Sequence, residues 1–153
     1  MWFASSVGKP VFDAVIENDC EIHAMIVWHK INATYAAMNA QYKQRHEPML
    51  YFKPKGSTLR WIGPTDECTL WEIKRDASNE YHPTQKPVEL ALRAIGNHHA
   101  NMVADPFAGS GTTGIACHNL GRRARMVEIS PAYCAVILQR FADATGKTPE
   151  LLA

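Results

Sequence analysis

Asp105-Pro-Phe-Ala-Gly-Ser-Gly-Thr-Thr113 follows the apolar run Met102-Val-Ala and opens a helical pattern that runs from Thr112 to Leu120. Strand, glycine-rich turn and helix together present backbone N–H groups and the positive end of a helix to a ligand. Gly109 and Gly111 let the backbone approach that ligand, and Thr112-Thr113 begin the helix. Gly109-x-Gly111-x-x-Gly114 satisfies the dinucleotide fingerprint literally, a pattern that recurs by chance in strand–turn–helix contexts. No Lys follows Gly111, so nothing would reach the outer phosphates of a nucleoside triphosphate, and the Walker A reading falls. Glu128 ends the next strand pattern, Arg125-Met-Val-Glu128. A carboxylate there can accept both hydroxyls of a ribose, while a solvated strand-end carboxylate is its plainer reading.

Outward from this turn, strand and helix patterns alternate, which predicts an α/β fold with helices on the faces of a sheet. Upstream, Pro10 starts a helical pattern with Phe12, Val15 and Ile16 on its apolar face. Ile22-His-Ala-Met-Ile-Val-Trp28 reads as an interior strand buried on both faces, and Met49-Leu-Tyr-Phe52 and Thr69-Leu-Trp-Glu-Ile73 as short strands. Residues 32–47 read as a loop, and Gly63-Pro64 as a turn. Pro87 begins a helix with the stripe Val88, Ala91, Leu92 and Ile95, ending near Gly96-Asn97. Met102–Asp105 reads as a short buried strand and Arg123–Ile129 as another, and Ser130-Pro131 caps a last helix reaching Ala144.

His82-Pro-Thr-Gln-Lys-Pro87 lies one helix-length ahead of the glycine turn. Its two prolines stiffen the segment, and Thr84, Gln85 and Lys86 supply donors, with Lys86 able to pair with a carboxylate. A nicotinamide enzyme fits poorly. Its glycine turn usually comes early and several strands follow, whereas here one strand–helix unit follows before Ala153. An Asp at the mouth of the turn also suits a cofactor with a cationic amino-acid end better than a pyrophosphate.

Three stretches carry a resemblance: His82–Leu90, Asp105–Thr113, and Gly121-Arg-Arg-Ala-Arg-Met-Val-Glu-Ile-Ser-Pro-Ala-Tyr-Cys134. They resemble DNA methyltransferases that modify exocyclic amines, adenine-N6 or cytosine-N4, in the permuted order with the catalytic motif ahead of the cofactor motif. Arg45-His-Glu-Pro-Met-Leu-Tyr-Phe-Lys-Pro-Lys-Gly56 resembles the strand entering their target-recognition region. The resemblance implies a Rossmann-like, S-adenosylmethionine-dependent methyltransferase sheet in one partial domain over residues 1–153. Residues 32–80 would form the target-recognition region and 81–145 the cofactor-binding region. It also implies a cofactor set of Thr84, Gln85, Lys86, Asp105, Pro106, Phe107, Gly109, Ser110, Gly111, Thr112 and Glu128, with Glu128 on the ribose.

The family activates the amine with an Asp/Asn/Ser-Pro-Pro-aromatic tetrapeptide, whose acceptors orient the nitrogen while the ring stacks on the flipped base. This sequence contains no Pro-Pro pair, so no catalytic residue is assigned. Met1 leads straight into Trp2-Phe3-Ala4, a buried-strand pattern, which predicts a chain that is the back portion of a longer one, missing N-terminal strands. An inactive fragment binding cofactor or DNA, half of a split enzyme completed by a second chain, and a mis-started or decayed gene all remain compatible.

A net charge of +1 places no global field on polyanions, so DNA contact would depend on local groups. Lys43, Arg45, Lys53, Lys55 and Arg60, interleaved with Tyr42, Tyr51 and Trp61, are the candidates for phosphates of double-stranded DNA, offset by nearby acids. Four dispersed cysteines predict reduced thiols, and with no leader or spanning run they point to a cytoplasmic, non-membrane protein. His98-His99 follow a helix and read as solvated rather than as metal ligands.

Overall fold

The apolar run at Ile22–Trp28 lies within β1 (Cys20–Lys30), the middle strand of a three-stranded sheet in the computed structural model. The structure describes residues 1–31, 41–74 and 85–152. Sequence readings on 32–40 and 75–84, with His82, Pro83 and Thr84, lie outside the described residues. The chain forms two units, Met1–Leu59 with Pro64–Arg75, and Arg60–Gly63 with Asp76–Ala153.

In the first unit β1 pairs antiparallel with β2 (His46–Pro54) on one side and parallel with β3 (Leu70–Ile73) on the other. Trp28 is the centre of its core. Its ring is 1% exposed, its indole N–H donates to the Ile73 carbonyl at 2.8 Å, and Trp2 meets it edge-on at 6.3 Å. Trp71 and Leu50 are equally buried. A short 3-10 turn (Ser5–Val7) leads into α1 (Gly8–Glu17), which packs on β1. Pro10 is the third residue of that helix, still within the first turn, where a missing N–H costs nothing.

Three expectations about this unit are corrected. β1 is not buried on both faces: His23 and Met25 are exposed and alternate with half-buried Ile22, Ala24 and Ile26. An antiparallel pairing can leave one face to water, which the apolar run by itself does not reveal. Trp2-Phe3-Ala4 is not a full strand. Trp2 makes a single bridge to Met49, and Phe3 N–H donates to Pro48, before the chain coils into the 3-10 turn. Ile16, expected on the apolar face of α1, is 56% exposed, and Val15 is the buried residue.

The second unit contains α2 (Val88–Gly96), β4 (Met102–Asp105), α3 (Thr112–Asn119), β5 (Arg123–Met126) and α4 (Pro131–Thr145). β4 and β5 are parallel, and α3 packs against both α2 and β5. Local chemistry sets the boundaries. Pro87 caps α2, the Ser130 hydroxyl accepts from Tyr133 N–H ahead of Pro131 at the start of α4, and Gly121 and Gly146 take left-handed conformations just past their helices. The core is Leu90, Ile115, Ala116 and Cys117. Leu90 lies off the stripe expected for α2, whose members are only half-buried.

β4 is also not a buried strand, since Met102 and Ala104 are exposed and alternate with half-buried Val103 and Asp105. Among the described residues its only strand neighbour is β5, so its other edge has no strand partner there. β5 stops at Met126 rather than Ile129, because Val127 bonds into the glycine turn and Ile129 is 97% exposed.

Candidate functional site

Asp105 closes β4 and folds its carboxylate back onto the turn it begins. Oδ1 accepts from Phe107 N–H at 3.0 Å, an Asx turn, and Oδ2 accepts from the Thr113 hydroxyl at 2.6 Å. The short side chain thus braces the strand end against the first turn of α3. Gly109 and Gly111 have φ of +53° and +79°, a region that L side chains rarely adopt. Gly111 caps α3 without a side-chain hydrogen bond.

Gly111 is also tight for space. A Cβ there would lie 3.0 Å from Ile137 Cγ2 on α4. Gly111→Ala combines left-handed strain with this contact and is expected to cost about 1–3 kcal/mol. Thermal unfolding monitored by circular dichroism checks this, and an unchanged midpoint would contradict the geometry.

Glu128, three residues beyond Arg125 in β5, bends back across the same turn. Its Oε2 accepts from Gly109 N–H at 2.8 Å and its Oε1 from Ser130 N–H at 2.9 Å. The neighbouring backbone completes the staple: Ala108 N–H donates to Val127 O at 3.0 Å, and Val127 N–H to Asp105 O at 2.9 Å.

The Gln85–Pro87 stretch, which leads into α2, also reaches this turn. The Thr112 hydroxyl donates to the Lys86 carbonyl at 3.1 Å. Gln85 is 8% exposed, and its Oε1 is a buried acceptor with no hydrogen-bond partner among the described residues. An orphaned buried acceptor costs free energy unless a ligand or water satisfies it. Phe107 is 83% exposed beside the turn, an aromatic face available to a planar group. Pro106 is exposed, and Ser110 is buried.

Sequence reasoning missed one participant. Arg140, buried in the middle of α4, sends Nη1 to the Ser110 carbonyl at 2.9 Å and to the Ser110 and Thr112 hydroxyls at 3.0 Å. The available signal was a cation between the apolar run Ala135-Val-Ile-Leu138 and Phe141. Behind the turn, burial pushes the Cys117 thiol up, with Arg122 opposing the rise and Asp105 adding to it. That makes Cys117 a packing residue rather than a nucleophile.

The structure thus brings together Gln85, Lys86, Asp105, Phe107, Gly109, Ser110, Gly111, Thr112 and Glu128 in one unit. The basic candidates are dispersed. Lys43 and Arg45 are exposed, with Arg45 donating to the Ile31 carbonyl at 2.7 Å. Lys53 is paired with Glu21, whose carboxyl it holds below the usual range, and Lys55 approaches Asp19 at 3.5 Å. Both lysines therefore spend part of their charge within the chain. Arg60 is exposed and belongs to the second unit.

Comparison with known proteins decides the family. A family model described as DNA methylase, of the N6/N4 type, matches residues 4–139. The chain belongs to this DNA methylase family. Its curated relatives include YubD of Escherichia coli (strain K12), which carries the name of a methylase. YubD is 33% identical over 120 residues, covering 76% of this chain and 51% of YubD. The type II methyltransferase M2.MboI of Moraxella bovis is 27% identical over 144 residues, 84% of this chain and 53% of that protein. The chain therefore spans about half the length of the curated relatives it matches.

Among solved structures, the M1.HpyAVI–SAM complex superposes with a TM-score of 0.80 at 29% identity, over 92% of this chain and 72% of that one. The cytosine-N4-specific PvuII DNA methyltransferase matches with a TM-score of 0.73 at 21% identity, over 90% of this chain and 57% of that one, a likeness of fold alone. The α/β architecture of this methylase-family chain is that of S-adenosylmethionine-dependent methyltransferases.

Proposed function

We propose that this chain carries the S-adenosylmethionine site of a site-specific DNA methyltransferase acting on an exocyclic amine, N6 of adenine or N4 of cytosine. The observation that carries the reading is the carboxylate pair around one glycine turn. Both carboxylates fold onto the turn, Asp105 accepting from Phe107 N–H and the Thr113 hydroxyl, and Glu128 from the N–H groups of Gly109 and Ser130. Family membership, and the SAM complex of M1.HpyAVI, support the same conclusion.

The residues present fit this cofactor chemically. It brings a ribose, an amino-acid end with one cation and one anion, and a planar adenine. Glu128 would take the ribose hydroxyls. Asp105 and the orphaned Gln85 Oε1 would accept from donors at the amino-acid end, and the Lys86 ammonium would pair with its carboxylate. Phe107 offers its exposed ring to the base. When bound, S-adenosylmethionine supplies an electrophilic methyl group on a sulfonium.

What this chain contributes is position and exclusion. The glycine turn allows close backbone approach, and the opening of α3 directs N–H dipoles at the ligand. Orienting the target amine is assigned to a Pro-Pro-aromatic segment, a pair absent from these 153 residues. A second chain bearing it is proposed as a partner beside double-stranded DNA, with Lys43, Arg45, Lys53, Lys55 and Arg60 on phosphates. No helix among the described residues is long and apolar enough to cross a membrane, and the cytoplasm is the proposed compartment.

Calorimetric titration with S-adenosylmethionine is expected to show saturable one-site binding, competed by the demethylated product. Absence of binding at millimolar cofactor would count against the proposal. A methyl-transfer assay on unmethylated DNA with labelled cofactor then reports whether these residues turn over alone.

A further inference from the structure

We infer that Arg140 is the positioning residue that holds the glycine turn in its cofactor-receptive shape, an inference that rests on the reading above. Ser110 lies between Gly109 and Gly111, both at positive φ. It is therefore the one residue with a side chain between two backbone hinges. Arg140 fastens it at both its carbonyl and its hydroxyl, from a position 30 residues downstream. Such charge-assisted bonds are about twice as strong as neutral ones.

The same nitrogen reaches the Thr112 hydroxyl, which passes its own hydrogen to the Lys86 carbonyl. Nη1 has two hydrogens and three acceptors within 2.9–3.0 Å, so its bonds are shared among them. One guanidinium thus ties α4 to the opening of α3 and, through Thr112, to the Gln85–Pro87 stretch. Packing alone would be served better by an apolar side chain, because desolvating a guanidinium is costly and hydrophobic replacements of buried charges are often neutral or stabilising. A buried Arg aimed at the turn is therefore explained by what it holds. It touches the cradle rather than the cofactor, so it is a positioning residue and not a catalytic one.

Two variants of the full chain test this, Arg140→Met for an apolar replacement and Arg140→Lys for a point charge without the fork. Arg140→Met is expected to bind S-adenosylmethionine about 10–100-fold more weakly than wild type, measured well below the melting temperature of each protein, with Arg140→Lys intermediate. Without cofactor, amide hydrogen exchange at residues 109–114 is expected to accelerate at least tenfold in Arg140→Met, while exchange along β1 and β2 stays at the wild-type rate. A merely structural role would speed exchange throughout and leave affinity below melting unchanged.

Affinity within twofold of wild type in Arg140→Met, or unchanged protection of the turn, overturns the inference. If Arg140→Met does not fold, Arg140→Lys decides by the same two readouts. Wild type failing to bind cofactor would defeat the proposed function instead. The exchange result would then judge whether Arg140 holds the turn.

Discussion

Glu128→Ala is expected to weaken S-adenosylmethionine binding about 100-fold or more, the largest functional effect of any single change in the site. Two losses combine. The ribose acceptor disappears, and the N–H groups of Gly109 and Ser130, bonded at 2.8 and 2.9 Å in the native protein, are left without their carboxylate. Glu128→Gln separates these contributions. An amide has one acceptor oxygen and one donor nitrogen, so one of the two backbone donors would face another donor. Gln is therefore expected to behave more like Ala than like Glu. Calorimetry on the three proteins checks this, and a Gln variant binding within threefold of wild type would show that Glu128 matters only as a polar spacer.

Trp28→Ala carries the largest expected loss of stability, about 3–5 kcal/mol. The ring is 1% exposed in the sheet core of the first unit, and its truncation removes both its packing against Trp2 and the indole bond to Ile73 that links β1 to β3. Part of the cost is that the Ile73 carbonyl loses its donor. Chemical denaturation followed by far-ultraviolet circular dichroism measures it. A loss under 1 kcal/mol would mean that neighbouring side chains collapse into the space. Trp28→Phe should retain most of the packing and lose mainly the hydrogen bond.

Much of the second unit was legible from local pattern. Pro87, Gly121, Ser130-Pro131 and the short apolar run at Met102 placed α2, α3, α4 and β4 to within a residue or so. These boundaries depend on backbone preferences written in single residues, such as a fixed φ, a left-handed cap or a side-chain acceptor. Burial was read less well. Met102, Ala104, Ile16 and Met25 are apolar yet exposed or alternate with exposed neighbours, and Leu90 is buried off its expected stripe. Hydrophobicity reports what a residue tolerates, whereas burial depends on which element lies over it.

By itself, then, the sequence determined the strand–glycine turn–helix of residues 102–120, the acid at Glu128, and the membership of the N6/N4 DNA methylase family that those motifs signalled. Local geometry and residue chemistry are sufficient for that. Only the tertiary structure decided how the pieces serve one another. It turned both carboxylates onto the turn, left the Gln85 acceptor without a partner among the described residues, and brought Arg140 against Ser110 and Thr112. Glu128 meets Gly109 across 19 residues and Arg140 meets Ser110 across 30. Contacts at such separations are set by the packing of α4 and β5 around α3, and no periodicity along the chain encodes them.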